Sequence, residues 1–157
     1  MPTAAFFRVE GTLSRRSARH AAAWMAANSQ YIGQRFTRMS TIALSLPMST
    51  FGDPLTAARL SWSALRGLSS DRLRILGEEY HTTFVASQLN ESGVDLLHKA
   101  REAGHRIVLV SNSLDVFVQP LANQLDVDAL ISNRMEMRRD RATGRLQDPA
   151  MGGRLSG

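Results

Sequence analysis

The 157-residue chain has no cysteine and a single lysine, Lys99, set against eighteen arginines. Without cysteine there are no disulfides and no thiolate metal sites, and a reducing compartment is the simpler reading. No run of residues is long and apolar enough to span a bilayer. The nearest, Met39 to Phe51, is short and broken by Ser, Thr and Pro47. No basic segment precedes an apolar run at the N-terminus, so a secretory signal is absent and a cytoplasmic protein is expected. The net charge of +5 is almost wholly arginine. These arginines are scattered along the chain rather than clustered with lysine. The basicity therefore reads as compositional bias, and no nucleic-acid partner is expected.

What is present is a globular composition. The hydrophobic fraction of 43% supports a core, and the length fits one domain or one domain carrying an insertion. Ala4 to Val9 reads as a short buried strand. Four helical segments follow: Ser17 to Asn28, Tyr31 to Leu46 ending at Pro47, Asp53-Pro54 to Gly67, and Ser70-Asp71 to about Leu89. The pattern then changes. Asn90 to Ala103 is an amphipathic helix stopped by Gly104, and Ile107 to Val110 is a second buried strand. Ser113 to Leu125 is a helix and Ala129 to Ile131 a third strand. Met135 to Leu146 reads as a hairpin with Thr143-Gly144 near its turn. Helices joining buried strands imply a parallel sheet. The expected fold is therefore α/β, a partial Rossmann-like parallel sheet with a helical insertion after the first strand.

Ligands of such sheets sit beyond the carboxyl ends of the strands. The candidate loops are thus Arg8 to Leu13 and Ser111 to Leu114. The second pairs a hydroxyl at a strand end with a following helix N-terminus. Free backbone N–H groups and the helix dipole there favour an anion, such as a phosphate. The plainer alternative is that Ser111 or Ser113 serves only as an N-cap.

These motifs resemble the haloacid dehalogenase (HAD) superfamily, in its phosphoserine-phosphatase-like subclass. The resemblance rests on Phe6-Phe7-Arg8-Val9-Glu10-Gly11-Thr12 as motif one and Ser111 as motif two. The helix Asp115 to Ala122 and the strand pair containing Thr143-Gly144 complete it. It implies an α/β core formed by residues 1–14 and 90–157, with residues 15–89 as a helical cap. It also implies hydrolysis of phosphomonoesters with magnesium. In that family both charged positions of motif one are Asp. The first attacks phosphorus and ligates the metal; the second acts as general acid and base. Here Arg8 replaces the nucleophile. A guanidinium stays protonated, so it neither attacks nor welcomes a divalent cation. Glu10 keeps a carboxylate at the acid/base position, free to move a proton or to ion-pair with Arg8. Thr12, Ser111 and Asn112 are the expected substrate-binding residues, and no residue is assigned as a metal ligand.

Two later motifs differ as well. No Lys follows Lys99 to fill the motif-three position, although Arg154 lies in roughly that region, and no acidic pair follows a further strand. Lacking the strand that would flank it, Ala4 to Val9 is expected to present an unpaired edge, as in a fragment of a longer protein. The leading expectation is a catalytically impaired HAD-like domain, a pseudoenzyme retaining a crevice for a phosphorylated small molecule, with no cofactor. One alternative is an active magnesium-dependent phosphatase using Glu10. Another is a basic module binding anionic surfaces or accompanying a glycerolipid acyltransferase. His20, His81, His98 and His105 have no ligand spacing and read as surface or cap residues. Trp24, Phe36 and Trp62 read as cap core, and Arg138 to Arg141 as a solvated hairpin tip.

Overall fold

A computed structural model describes residues 3–28, 40, 42–44 and 53–151 of the chain. The first strand, β1 (Ala4–Arg8), and the second, β2 (Arg106–Leu114), pair in parallel, with Phe6 opposite Val108 and Arg8 opposite Val110. The third, β3 (Ala129–Asn133), joins the far side of β2, giving the order β1-β2-β3. Among the described residues β1 pairs on one side only, and Phe6 on it is 65% exposed. The two-residue alternation of a strand places Phe7 inward and Phe6 outward.

Between β1 and β2 run α1 (Ala18–Ala27), α2 (Pro54–Ser63), α3 (Ser70–Tyr80) and α4 (Glu91–Glu102). Side-chain caps explain where the first three begin. Ser17 accepts from the His20 N–H, Asp53 from those of Leu55 and Thr56, and Ser69 from that of Arg72. A π-helical turn, His81–Val85, prolongs α3. The helix expected over Tyr31 to Leu46, Phe36 included, lies largely outside the described residues. A single apolar core links the two parts of the chain: Phe7, Ile107 and Leu109 from the sheet, and Trp62, Leu65 and Leu76 from the helices. Trp62 is 1% exposed and lies against Phe117, so its core reading holds.

Two close approaches fix how the helices seat. A Cβ on Gly77 of α3 would lie 2.0 Å from the Val116 carbonyl oxygen, and one on Gly93 of α4 would lie 2.3 Å from that of Thr12. Only glycine lets the backbones meet there. Val116 belongs to α5 (Asp115–Gln124), the helix that follows β2.

Two sequence expectations are corrected. The helix after β2 begins at Asp115, not Ser113, because β2 continues to Leu114 through a register shift between Val110 and Leu114. The hairpin of β4 (Met135–Arg138) and β5 (Arg141–Leu146) turns at Arg139-Asp140, not near Thr143-Gly144. Both turn residues have positive φ, 48° and 59°, the backbone that a tight two-residue hairpin turn requires. Arg138 to Arg141 is the exposed tip, as expected.

Candidate functional site

The chain beyond β1 folds back at once. The N–H groups of Leu13 and Ser14 both donate to the Val9 carbonyl, at 3.1 and 2.9 Å, and the Gly11 N–H donates to Ser14 O at 2.8 Å. Gly11 has φ of +87°, which glycine adopts without strain. The helix α4 anchors this loop from outside: the Asn90 side-chain amide donates to the Thr12 carbonyl at 3.0 Å, and its backbone N–H donates to Leu13 O at 2.9 Å. Thr12 is thus held through its backbone.

The tight loop carries Glu10 across to the end of β2. Ser111 Oγ donates to Glu10 Oε1 at 2.5 Å, and the Asn112 N–H donates to Oε2 at 3.4 Å. Ser111 is fully buried, and its Oγ also accepts from the Ser113 N–H at 3.0 Å. Neither serine is an N-cap. That position belongs to Leu114, which has no side-chain acceptor, and the Val116 N–H of the first turn donates to Asp115 Oδ1 instead.

Three expected residues therefore meet: Glu10, Ser111 and Asn112. Arg8 lies one residue before Val9 on the strand and does not pair with Glu10; no ion pair joins them among the described residues. The strand alternation that would put both on one face stops at Arg8, because Glu10 already belongs to the turn. The Arg8 Nε is buried without a hydrogen-bond partner. Burying a polar donor unpaired is costly, so this atom marks a place for an acceptor.

Further groups surround Glu10 that no sequence motif singled out. A cavity of about 30 Å³ is lined by Glu10, Ser14, Arg16, Ser17, Tyr80 and Phe117, among others. His20 Nδ1 and the Tyr80 hydroxyl are 2.8 Å apart, and the Arg16 guanidinium stacks 5.7 Å from the Phe84 ring centre. Burial pushes the Tyr80 hydroxyl up to about 12, with Glu10 adding to the shift and Arg16 opposing it. Burial, reinforced by Arg16, holds the His20 imidazole below its ordinary value. His20 and Trp24 pack on Tyr80 and Phe84, so His20 serves the helical core rather than the surface. The helical period hid this grouping, because its members come from three separate segments.

Asn133, at the end of β3, was also missed. It is 1% exposed and its amide donates to Asn112 O and Met151 O, both at 2.8 Å. Its carbonyl accepts from the Met151 N–H at 2.7 Å. It thus ties the last residues of β2 to the segment following the hairpin. A polar residue closing an apolar strand was the available signal. Arg154 lies outside the described residues.

The donor set suits an anion better than a metal. Among the described residues, no group of three or more His, Asp or Glu side chains is placed to hold a metal ion. Glu10, the carboxylate of the crevice, already accepts two hydrogen bonds, from Ser111 and Asn112.

The architecture has known counterparts. A Bordetella pertussis Tohama I protein of unknown function superposes with a TM-score of 0.80 at 22% identity, covering 94% of this chain and 67% of that one. A substrate-bound phosphoserine phosphatase superposes at 0.63 with 16% identity, covering 94% and 63%. These likenesses are in fold. In sequence, a phosphoserine phosphatase of Archaeoglobus fulgidus is 26% identical in an alignment of 100 residues that covers 57% of this chain and 29% of that protein. This chain thus spans under a third of that relative's length. The family model described as haloacid dehalogenase-like hydrolase matches residues 5–156, and the chain belongs to that family.

Proposed function

We propose that this domain binds the phosphate of a small phosphorylated molecule without hydrolysing it. The single observation carrying this reading is the buried, unpartnered Nε of Arg8, the residue that stands where the resemblance puts the nucleophile. A carboxylate nucleophile attacks phosphorus and later leaves an acyl phosphate. A guanidinium does neither, but it is well suited to an oxyanion.

The pairing of Glu10 with Ser111 and Asn112 supports the same reading. A hydroxyl and a backbone N–H at the end of β2 point at a carboxylate, as they would at a phosphate oxygen. Glu10 stands in for the ligand, so a phosphate must displace it. In this reading residues 15–89 are the insertion, and its Arg16 and Tyr80 line the small cavity beside Glu10. Magnesium does not fit this donor set. The absence of cysteine from the sequence, and of a described helix able to cross a membrane, is compatible with a cytoplasmic setting.

The test is titration with inorganic phosphate, followed by the amide resonances of Ser111 and Asn112, alongside an assay with an aryl phosphate and magnesium. Saturable shifts at those amides without turnover are expected. Hydrolysis by the purified chain that is lost in Glu10→Ala would overturn the reading in favour of an active phosphatase.

A further inference from the structure

A second basic site lies away from the crevice. The end of α2 and the hairpin form a groove of about 430 Å³, lined by Arg66, Gly67, Glu136, Arg138, Arg141, Thr143 and Arg145, with Ala142 at its base. None of the crevice residues lines it. Arg66 comes from the helical insertion and the other three arginines from the hairpin, so folding gathers charges that look scattered along the sequence.

The groove is held by backbone rather than by mobile side chains. The Gly67 N–H donates to Ala142 O and the Ala142 N–H to Leu68 O, both at 2.8 Å, so residues 67–69 lie along β5 like a short extra strand. Gly144, with φ of +84°, lets β5 approach α2: a Cβ there would meet the Ser63 carbonyl oxygen at 3.2 Å and Arg66 Cβ at 3.1 Å. Arg141 donates to the Gly67 carbonyl at 3.1 Å, which fixes its guanidinium at the rim.

Among the described residues lining the groove, arginines outnumber carboxylates. Four arginines face one carboxylate, Glu136. That carboxylate accepts from the Thr143 hydroxyl at 2.7 Å and from Arg138 at 3.4 Å. The Thr143 hydrogen bond, with Arg138 and Arg145 nearby, holds it below the usual carboxylate range. The Arg145 guanidinium makes no hydrogen bond or ion pair with any described residue and feels Glu136 only at longer range. Guanidinium groups from two segments converging on a concave surface provide forked donors for phosphate or carboxylate oxygens. The size falls within the roughly 300–1,000 Å³ of small-molecule sites.

We propose that this groove is an anion site for a small molecule carrying more than one phosphate or carboxylate group, held by Arg66, Arg138 and Arg145, with Arg141 at its rim. The proposal is independent of the reading of the Arg8 crevice. Inorganic tripolyphosphate is the probe, titrated into the intact chain and followed by calorimetry and by backbone amide resonances. The expected result is saturable binding with shifts at Gly67, Arg138 and Arg145. Arg145→Ala, at an exposed position, should weaken it about tenfold or more, since a hydrogen bond to a charged group contributes that much. Gly144→Ala, judged by its circular dichroism to be folded, should weaken it by displacing Arg66. Shifts confined to Ser111 and Asn112, or affinity unchanged in Arg145→Ala, would overturn the proposal. So would tighter binding of duplex DNA or phosphatidylserine vesicles through the same arginines, because the occupant would then be a macromolecular surface.

Discussion

Glu10 and Ser111, 101 residues apart in sequence, share a 2.5 Å hydrogen bond at the carboxyl ends of two adjacent parallel strands. The bond closes the crevice on itself. Ser111 Oγ donates to the carboxylate while accepting from the Ser113 N–H, so all of its obvious partners are internal. Ser111→Ala should leave a buried N–H and a carboxylate oxygen short of partners. The expected cost is about 1–3 kcal/mol, read from urea denaturation.

Glu10→Gln tests the same contact from the other side. The amide is isosteric and still accepts from Ser111, but its charge is gone. Inorganic phosphate should then bind more tightly, by roughly fivefold, because about 1 kcal/mol of water-screened repulsion at 4 Å is removed. Unchanged or weaker affinity would mean that phosphate does not enter where the carboxylate sits.

Much of this arrangement was legible in the sequence, and the part that was not has a common physical origin. The buried runs Ala4 to Val9 and Ile107 to Val110 declared a parallel sheet, and Ser17 and Asp53 marked helix starts that the structure keeps. These signals are local. The extension of β2 to Leu114 is set by pairing with Asn133 across nineteen positions, which no window on residues 107–114 contains. Gly144 carried a turn signal, yet its positive φ serves the approach to Ser63 while Arg139 and Asp140 make the turn. The alternative of an ion pair between Arg8 and Glu10 is not realised for a related reason: the long-range partner Ser111 reaches Glu10 once the strand has ended.

Gly77→Ala should show how tightly α3 is seated on α5. The added Cβ would sit 2.0 Å from the Val116 carbonyl oxygen, a backbone atom that cannot swing aside. Forced separation of packed elements costs about 1–3 kcal/mol, occasionally more. The gain in helix propensity on replacing glycine, at most about 1 kcal/mol, opposes this but does not cancel it. A lowered melting temperature is expected, and a rise would show that α3 shifts freely.

Asn133→Ala removes three hydrogen bonds at once, two donated to Asn112 O and Met151 O and one accepted from the Met151 N–H. The strand itself should persist, since its ladder is made by backbone. Amide exchange at Met151 should accelerate by an order of magnitude or more, following loss of about 1–3 kcal/mol of local protection. Exchange unchanged at Met151 would mean that this segment is fixed by something other than Asn133.

The pH dependence of stability follows from His20 and His81. Burial lowers both below 6.5; Arg16 reinforces the shift at His20, and the Gln124 hydrogen bond partly offsets it at His81. A lowered folded-state value means that the unfolded chain binds more protons in the window between the folded value and 6.5. Stability therefore rises with pH through that window and is fully present above it. Asp115 acts in the opposite sense, because burial raises it above 3.8. Its contribution is present at acid pH and lost as pH climbs through its folded value. The expected outcome is a lower melting temperature at mildly acid pH than above neutrality. His20→Gln should flatten that slope, since an amide can keep a hydrogen bond to the Tyr80 hydroxyl without taking up a proton. A slope unchanged in His20→Gln and abolished in His81→Gln would assign the dependence to the contact with Gln124 instead.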